Sequence, residues 1–208
     1  MTGKSRCGWV IFICILCLSC QQEQEKIPAK PTTPASPVNN KESTITVNVD
    51  KSPLDMSYYP DEYPQLKMSG KAKEPIIARV IYSRPKKEGR VIFGDVVKYG
   101  SRWRLGANEA SEIEFFKDVT IQNTLVKKNR YIIYCVPHET KWTIILNNDL
   151  FAWGLKIDSS KDAYKFDIPV TKTHYPMEYF TMGFEKKDTG INLVMSWDTI
   201  KSMLPISY

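Results

Sequence analysis

The sequence predicts an all-β fold, a single antiparallel β-sandwich or jelly roll with a β-barrel as the alternative. Three observations carry this. Apolar residues alternate with polar ones at period two, as in Ile191, Leu193, Met195 and Trp197 and again in Tyr164, Phe166, Ile168 and Val170, the pattern of strands with one face buried and one wet. Segments of this kind recur between turn-like runs such as Pro-Lys-Lys-Glu-Gly, Lys-Lys-Asn, Pro-His-Glu-Thr and Lys-Lys-Asp-Thr-Gly. No stretch of the body sustains a helical apolar stripe, and eight or so short strands in one domain imply a sandwich or barrel.

In chain order, residues 1–19 have the layout of a cleavable signal peptide: Lys4 and Arg6, a short apolar block over residues 9–18, then Ser19. That block is too short for a bilayer span, which needs about 20 apolar residues. Four of the five cysteines lie in residues 1–20 and only Cys135 in the body, so no disulfide framework is available there. Cys20 stands where the apolar block gives way to Gln21-Gln22-Glu23 and resembles the acylated cysteine of a bacterial lipoprotein. The usual box has Leu three places before the cysteine, whereas here Cys17 occupies that place and Leu16 lies one earlier. The expectation is a membrane partner through a lipid anchor at Cys20. The chain then works in the cell envelope, at the outer membrane, facing either the periplasm or the outside.

Residues 20–49 form a tether, with Pro28, Pro31, Pro34 and Pro37 at every third position. Its length after Cys20 corresponds to roughly 90 Å if stiff and roughly 30 Å if flexible. Residues 50–208 suffice for one domain with a proper core. The start of the body, residues 52–64, is tyrosine-rich and broken by proline, so it reads as an irregular segment lying against the domain. Strands are expected at 76–82, 90–93, 111–116, 130–136, 141–147, 164–170, 177–185 and 191–197.

The full chain has 29 Lys+Arg against 23 Asp+Glu, a net charge of +6, and loss of residues 1–19 takes away Lys4 and Arg6 to leave +4. The basic residues form short clusters in turns, not the continuous stripe with stacking aromatics that nucleic acid requires, and an envelope location argues further against that partner. The body has only His138 and His174, in no metal-ligand spacing, so neither a metal nor another cofactor is implied. Cys135 falls in an apolar strand and reads as an inert thiol. There is no Gly-x-Ser-x-Gly elbow and no glycine-rich phosphate loop.

Chemistry concentrates in residues 82–110. Tyr82-Ser83-Arg84-Pro85, Gly89-Arg90, Phe93-Gly94 and Tyr99-Gly100 precede the run Trp103-Arg104-Leu105-Gly106-Ala107-Asn108-Glu109-Ala110. These residues resemble the family known as domain of unknown function 2911, whose pattern reads Tyr-Ser-Arg-Pro, Gly-Arg-x-Ile-Phe-Gly and Tyr-Gly-x-x-Trp-Arg-x-Gly-Ala-Asn-Glu-Ala-Thr. Ser111 stands in the Thr position, residues 131–137 and 142–147 and the pair Trp153-Gly154 also fit, and Lys128-Asn129-Arg130 replaces the family's usual Pro-x-Gly. The resemblance implies an envelope or secreted protein of Gram-negative bacteria and brings no activity with it.

Two readings of the motif stand open. In one, Arg84, Arg90 and Arg104 converge with Asn108 and Glu109 on a concave site beside Trp103 and Tyr99, offering planar donors to an anion and an aromatic platform to a sugar. In the other, Arg104 and Glu109 pair internally, Asn108 caps a turn and Trp103 fills the core. The expected role is a non-catalytic binding or structural module for a glycan or an anionic small molecule. Two alternatives are kept: a hydrolase using Glu109 as general base with Arg104 holding an anionic group, and an envelope assembly component that exposes an apolar patch.

Overall fold

A computed structural model describes residues 50–208. The expected signal segment, Cys20 and the Pro-rich tether lie outside the described residues. Within them the chain runs β1 (Leu54–Tyr59), α1 (Tyr63–Met68), β2 (Ala78–Ser83), β3 (Glu112–Phe115), β4 (Val119–Ile121), β5 (Thr124–Val126), β6 (Arg130–Pro137), β7 (Lys141–Asn147), a 3-10 turn at Ser159–Lys161, β8 (Asp162–Lys187) and β9 (Gly190–Ile206). Seven strands form one antiparallel sheet in the order β1-β2-β3-β6-β7-β8-β9, while β4 and β5 pair with each other. The all-β, antiparallel expectation holds.

The sheet curls until its two ends meet. The first half of β8 pairs with β7, and irregularities after Lys172 and Met177, in a largely exposed stretch, then redirect the strand. The second half reaches the other end of the sheet, where Ser57 Oγ and Tyr82 Oη both donate to the Met182 carbonyl at 2.9 Å. Backbone bonds from Phe180 to Pro85 (3.0 Å) and from Lys87 to Glu178 (2.7 Å) extend the same seam. Facing walls of one curled sheet thus enclose the core. The alternating residues point where their period requires: Ile191, Leu193, Met195 and Trp197 are all buried, with Ala78, Val80 and Tyr82 from β2 and Trp142, Ile144 and Leu146 from β7. A fully buried aromatic removes roughly 150–250 Å² from water, or about 4–6 kcal/mol of gross driving force at about 25 cal/mol per Å².

Several expected elements differ. Residues 90–93 form no strand; they lie in turns, with glycines of positive φ on both sides (Gly89 and Gly94), and Phe93 makes an isolated bridge with Val97. Residues 52–64 are more regular than expected, since β1 pairs with β2 along its whole length and α1 follows. The β4–β5 hairpin is additional; it turns through Gln122 and Asn123, both at positive φ, and is pinned to the chain end by reciprocal backbone bonds between Thr120 and Ser207.

Between β2 and β3 the chain makes a strandless excursion over residues 84–111, which holds nearly all of the signature motif. Loops this long in a compact domain are uncommon and usually functional.

Candidate functional site

The excursion is tied down at its middle by Trp103. Its backbone exchanges two 2.8 Å hydrogen bonds with Cys135 of β6, and its indole Nε1 donates to the Gly106 carbonyl at 3.2 Å. The ring packs among Phe93, Trp142, Phe180 and Trp197, with centroids between 4.9 and 5.9 Å from its own. Immediately after it, Leu105 is fully buried although its φ is +51°, and Asn108 follows at +57°. Left-handed non-glycine residues cost of order 1 kcal/mol or more each, and they cluster at sites where a side chain must be aimed. Ser111 Oγ holds the first of them by donating to the Leu105 carbonyl at 2.5 Å.

Around Trp103 lies a cleft of about 320 Å³, open on one side. Arg90, Arg102 and Arg104 line it, with Pro85, Gly154 and Leu155 among its other walls, and among the described residues no carboxylate does. Each guanidinium is fixed by main-chain oxygen and not by an acid. Arg90 Nε donates to the Lys87 carbonyl at 3.0 Å and its Nη2 to the Lys86 carbonyl. Arg102 Nη1 donates to the Ile157 carbonyl at 3.3 Å, and Arg104 Nη1 to the Trp153 carbonyl at 3.2 Å. Partial burial lowers the Arg104 pKa, an effect that the charge of Glu109 partly offsets, and a guanidinium stays protonated under any ordinary condition. Three fixed cations with unused donors therefore face one cavity. Such forks suit a carboxylate, sulfate or phosphate group in a planar, bidentate contact.

The remaining motif residues go elsewhere. Arg84 braces the sheet seam: Nη1 meets Asp55 at 3.2 Å, Nη2 donates to Thr181 Oγ1 at 3.1 Å, and the group lies 5.7 Å from the centre of the Tyr179 ring. Tyr99 is exposed and outside the cleft walls. Asn108 Nδ2 donates to Asp50 at 2.6 Å, which fastens the start of the described chain beside the cleft, where Ser52 is also a wall residue. Glu109 is exposed, lines no part of the cleft and forms no ion pair with Arg104. The internal Arg104–Glu109 clasp is thus absent. The expected group of seven divides into Arg90, Trp103 and Arg104 at the cleft and four residues outside it.

The model of the family described as "Protein of unknown function (DUF2911)" matches residues 64–206. The chain belongs to that family. No curated protein and no solved structure matches it. Two of the cleft's wall residues in this DUF2911 chain, Arg102 and Leu155, carried no signal of their own in the sequence. Arg102 stands at a variable place of the motif, and Leu155 is brought in by the 148–158 loop that the Trp153-Gly154 pair marks. Among the described residues no group of three His, Cys, Asp or Glu side chains is arranged to hold a metal ion.

Proposed function

We propose that this DUF2911 chain is an envelope lipoprotein, acylated at Cys20 and attached to the outer membrane, whose Arg90–Arg102–Arg104 cleft binds an anionic glycan or another anionic small molecule without transforming it. The observation that carries the binding reading is the set of three guanidiniums, each anchored on a carbonyl, around a cavity with no acid in its walls among the described residues. Cations spent on structure are normally neutralised by carboxylates, as Arg79, Arg84 and Arg130 are in this molecule. Trp103 gives the cavity an apolar floor on which a sugar face can rest. No observation favours catalysis. Glu109, the one acid proposed as a base, is outside the walls.

A glycan array carrying uronate- and sulfate-bearing oligosaccharides tests the binding reading. The wild type and Glu109→Gln bind such glycans, and Arg104→Ala loses about tenfold or more, the order expected for a charge-assisted bidentate contact. Binding that survives Arg104→Ala with unchanged strength contradicts the proposal. The anchor is tested separately by feeding labelled palmitate: wild type incorporates label and Cys20→Ala does not, whereas equal labelling of both removes the lipoprotein reading.

A further inference from the structure

We propose that Arg102 sets the specificity of the cleft: with Arg104 it makes a pair of planar forks that selects a ligand bearing two carboxylates, as on neighbouring uronate units, over a ligand bearing one. The inference rests on the anion-binding reading of the cleft and adds the number of anionic groups to it.

The free edges of the guanidiniums carry the argument. A guanidinium offers a carboxylate two parallel N–H groups, and its Nε and the Nη2 beside it form one such edge. Arg90 has spent that edge, since its Nε and Nη2 both donate to carbonyls, those of Lys87 and Lys86. Arg102 and Arg104 each donate from Nη1 alone, to the carbonyls of Ile157 and Trp153, so Nε and Nη2 of both stay unbonded among the described residues. These two forks stand together. Trp103 between them forms an antiparallel bridge with Cys135, and in such an extended stretch residues two apart project to one side, with Cα atoms about 6–7 Å from each other. Both guanidiniums accordingly reach carbonyls of the same 148–158 loop. A single carboxylate fills one fork. A second carboxylate on the same ligand meets the other without a further loss of translational freedom.

Net charge does not select such a ligand, because Glu109, Asp50 and Asp158 lie around the same arginines. None of the three closes a fork. Asp50 accepts from the Ser52 backbone at 2.8 Å and from Asn108 Nδ2 at 2.6 Å. Asp158 accepts from the backbone and the hydroxyl of Ser160, at 3.0 and 2.6 Å. Glu109 is exposed and outside the cleft walls. Selection therefore lies in the geometry of the forks. Of the two, Arg104 is part of the family motif, whereas Arg102 stands at a variable place of it and is this chain's own addition. The cavity of about 320 Å³ has the size of a small-ligand pocket, for which roughly 300–1,000 Å³ is usual.

Calorimetric titrations of the wild type, Arg102→Gln and Arg102→Lys test this with galacturonate, with digalacturonate, and with glutarate, whose two carboxylates sit on no sugar. The wild type binds digalacturonate about tenfold or more tightly than galacturonate, the order of one added charge-assisted contact. Arg102→Gln loses that preference, and Arg102→Lys, which keeps the charge without the fork, does not restore it. The ratio of the two affinities is the readout because a folding defect lowers both together. Glutarate that binds as tightly as digalacturonate, with the same loss in Arg102→Gln, supports the paired forks and assigns them a sugar-free dicarboxylate; much weaker glutarate binding assigns them the uronate pair. Equal binding of galacturonate and digalacturonate to the wild type overturns the inference and leaves the anion-binding reading standing. A preference that survives in Arg102→Gln or is whole in Arg102→Lys overturns it too. Binding of none of the three ligands does the same, whether or not sulfated glycans bind.

Discussion

Gly154 shows how closely the cleft is fitted. Its φ is +84°, and a Cβ placed there would stand 2.9 Å from Cδ of Arg104, 3.0 Å from its Cβ and 3.1 Å from Cβ of Ala110. Both the backbone and the space require glycine. Gly154→Ala is therefore expected to cost about 1–2 kcal/mol and to displace Arg104, which denaturant titration together with loss of uronate binding would register. A variant with wild-type stability and binding would mean that Arg104 is not held as described. At this scale the sequence was a fair guide to residue type and a poor one to partners. It nominated Arg104 and Trp103, both of which face the cleft. It also grouped them with Asn108 and Glu109, which lie four or five positions along the same run but point away, because left-handed residues at Leu105 and Asn108 redirect the chain; asparagine is a type that tolerates this conformation, but nothing in the sequence marks Leu105 for it.

The 148–158 loop depends on the ends of its neighbouring strands. Asn147, fully buried at the end of β7, donates from Nδ2 to the Asp158 carbonyl and to Asp162 Oδ1, both at 2.8 Å, while its own Oδ1 accepts from the Asp149 backbone at 2.7 Å. Tyr134 Oη donates to the same Asp162 oxygen at 2.6 Å, and Lys165 pairs with the carboxylate at 3.1 Å. Burial alone would push the Asp162 carboxyl up, but these bonds outweigh it and hold the pKa below the usual carboxylate value. The unfolded chain then takes up the proton first, at about pH 4. The stabilisation is present above that pH and is lost as pH falls through the folded value. Asp162→Ala is expected to cost about 1–3 kcal/mol near pH 7, with the gap to wild type narrowing below about pH 4. Denaturant titrations at the two pH values check this; a gap that stays constant contradicts it.

Element by element, what escaped the sequence did so for identifiable reasons. The helix α1 buries no residue, so it has no apolar stripe to read. Strand β1 turns Leu54 and Met56 outward, which inverts the usual pattern. The β4–β5 hairpin was legible in principle, because Asn123 is a residue type that tolerates the positive φ a two-residue turn demands. The strands of the central ladder, β6 and β7, were legible almost to the residue, since each is a nearly continuous apolar run, buried on both faces and bounded by turn residues.

For the whole molecule, the curl of the sheet makes the cleft possible. It brings the second half of β8 beside the end of β2, so that the 84–111 excursion crosses the closed seam and lies over the core. The fold class followed from period-two alternation. The curl did not, because it arises where β8 changes partners, over residues 171–179, a largely exposed stretch holding Pro176 that interrupts the alternation and so reads in sequence as a break between two strands. Closure also buries Cys135 behind Trp103, and burial pushes its thiol pKa well up. Iodoacetamide is therefore expected to leave Cys135 unmodified in the native protein and to alkylate it on unfolding, as peptide mass spectrometry would show; rapid native labelling would mean that the excursion does not cover β6.

The central claim is that the arginines around Trp103 form a binding surface for an anion. Calorimetric titration of a uronate oligosaccharide tests it most directly, into the wild type and into a chain carrying Arg90→Gln, Arg102→Gln and Arg104→Gln, with thermal midpoints compared. The account predicts saturable binding that weakens as salt is raised and disappears in the triple variant while its midpoint is retained. Binding of equal strength in the two chains, or none in the wild type to any uronate- or sulfate-bearing glycan, would contradict it.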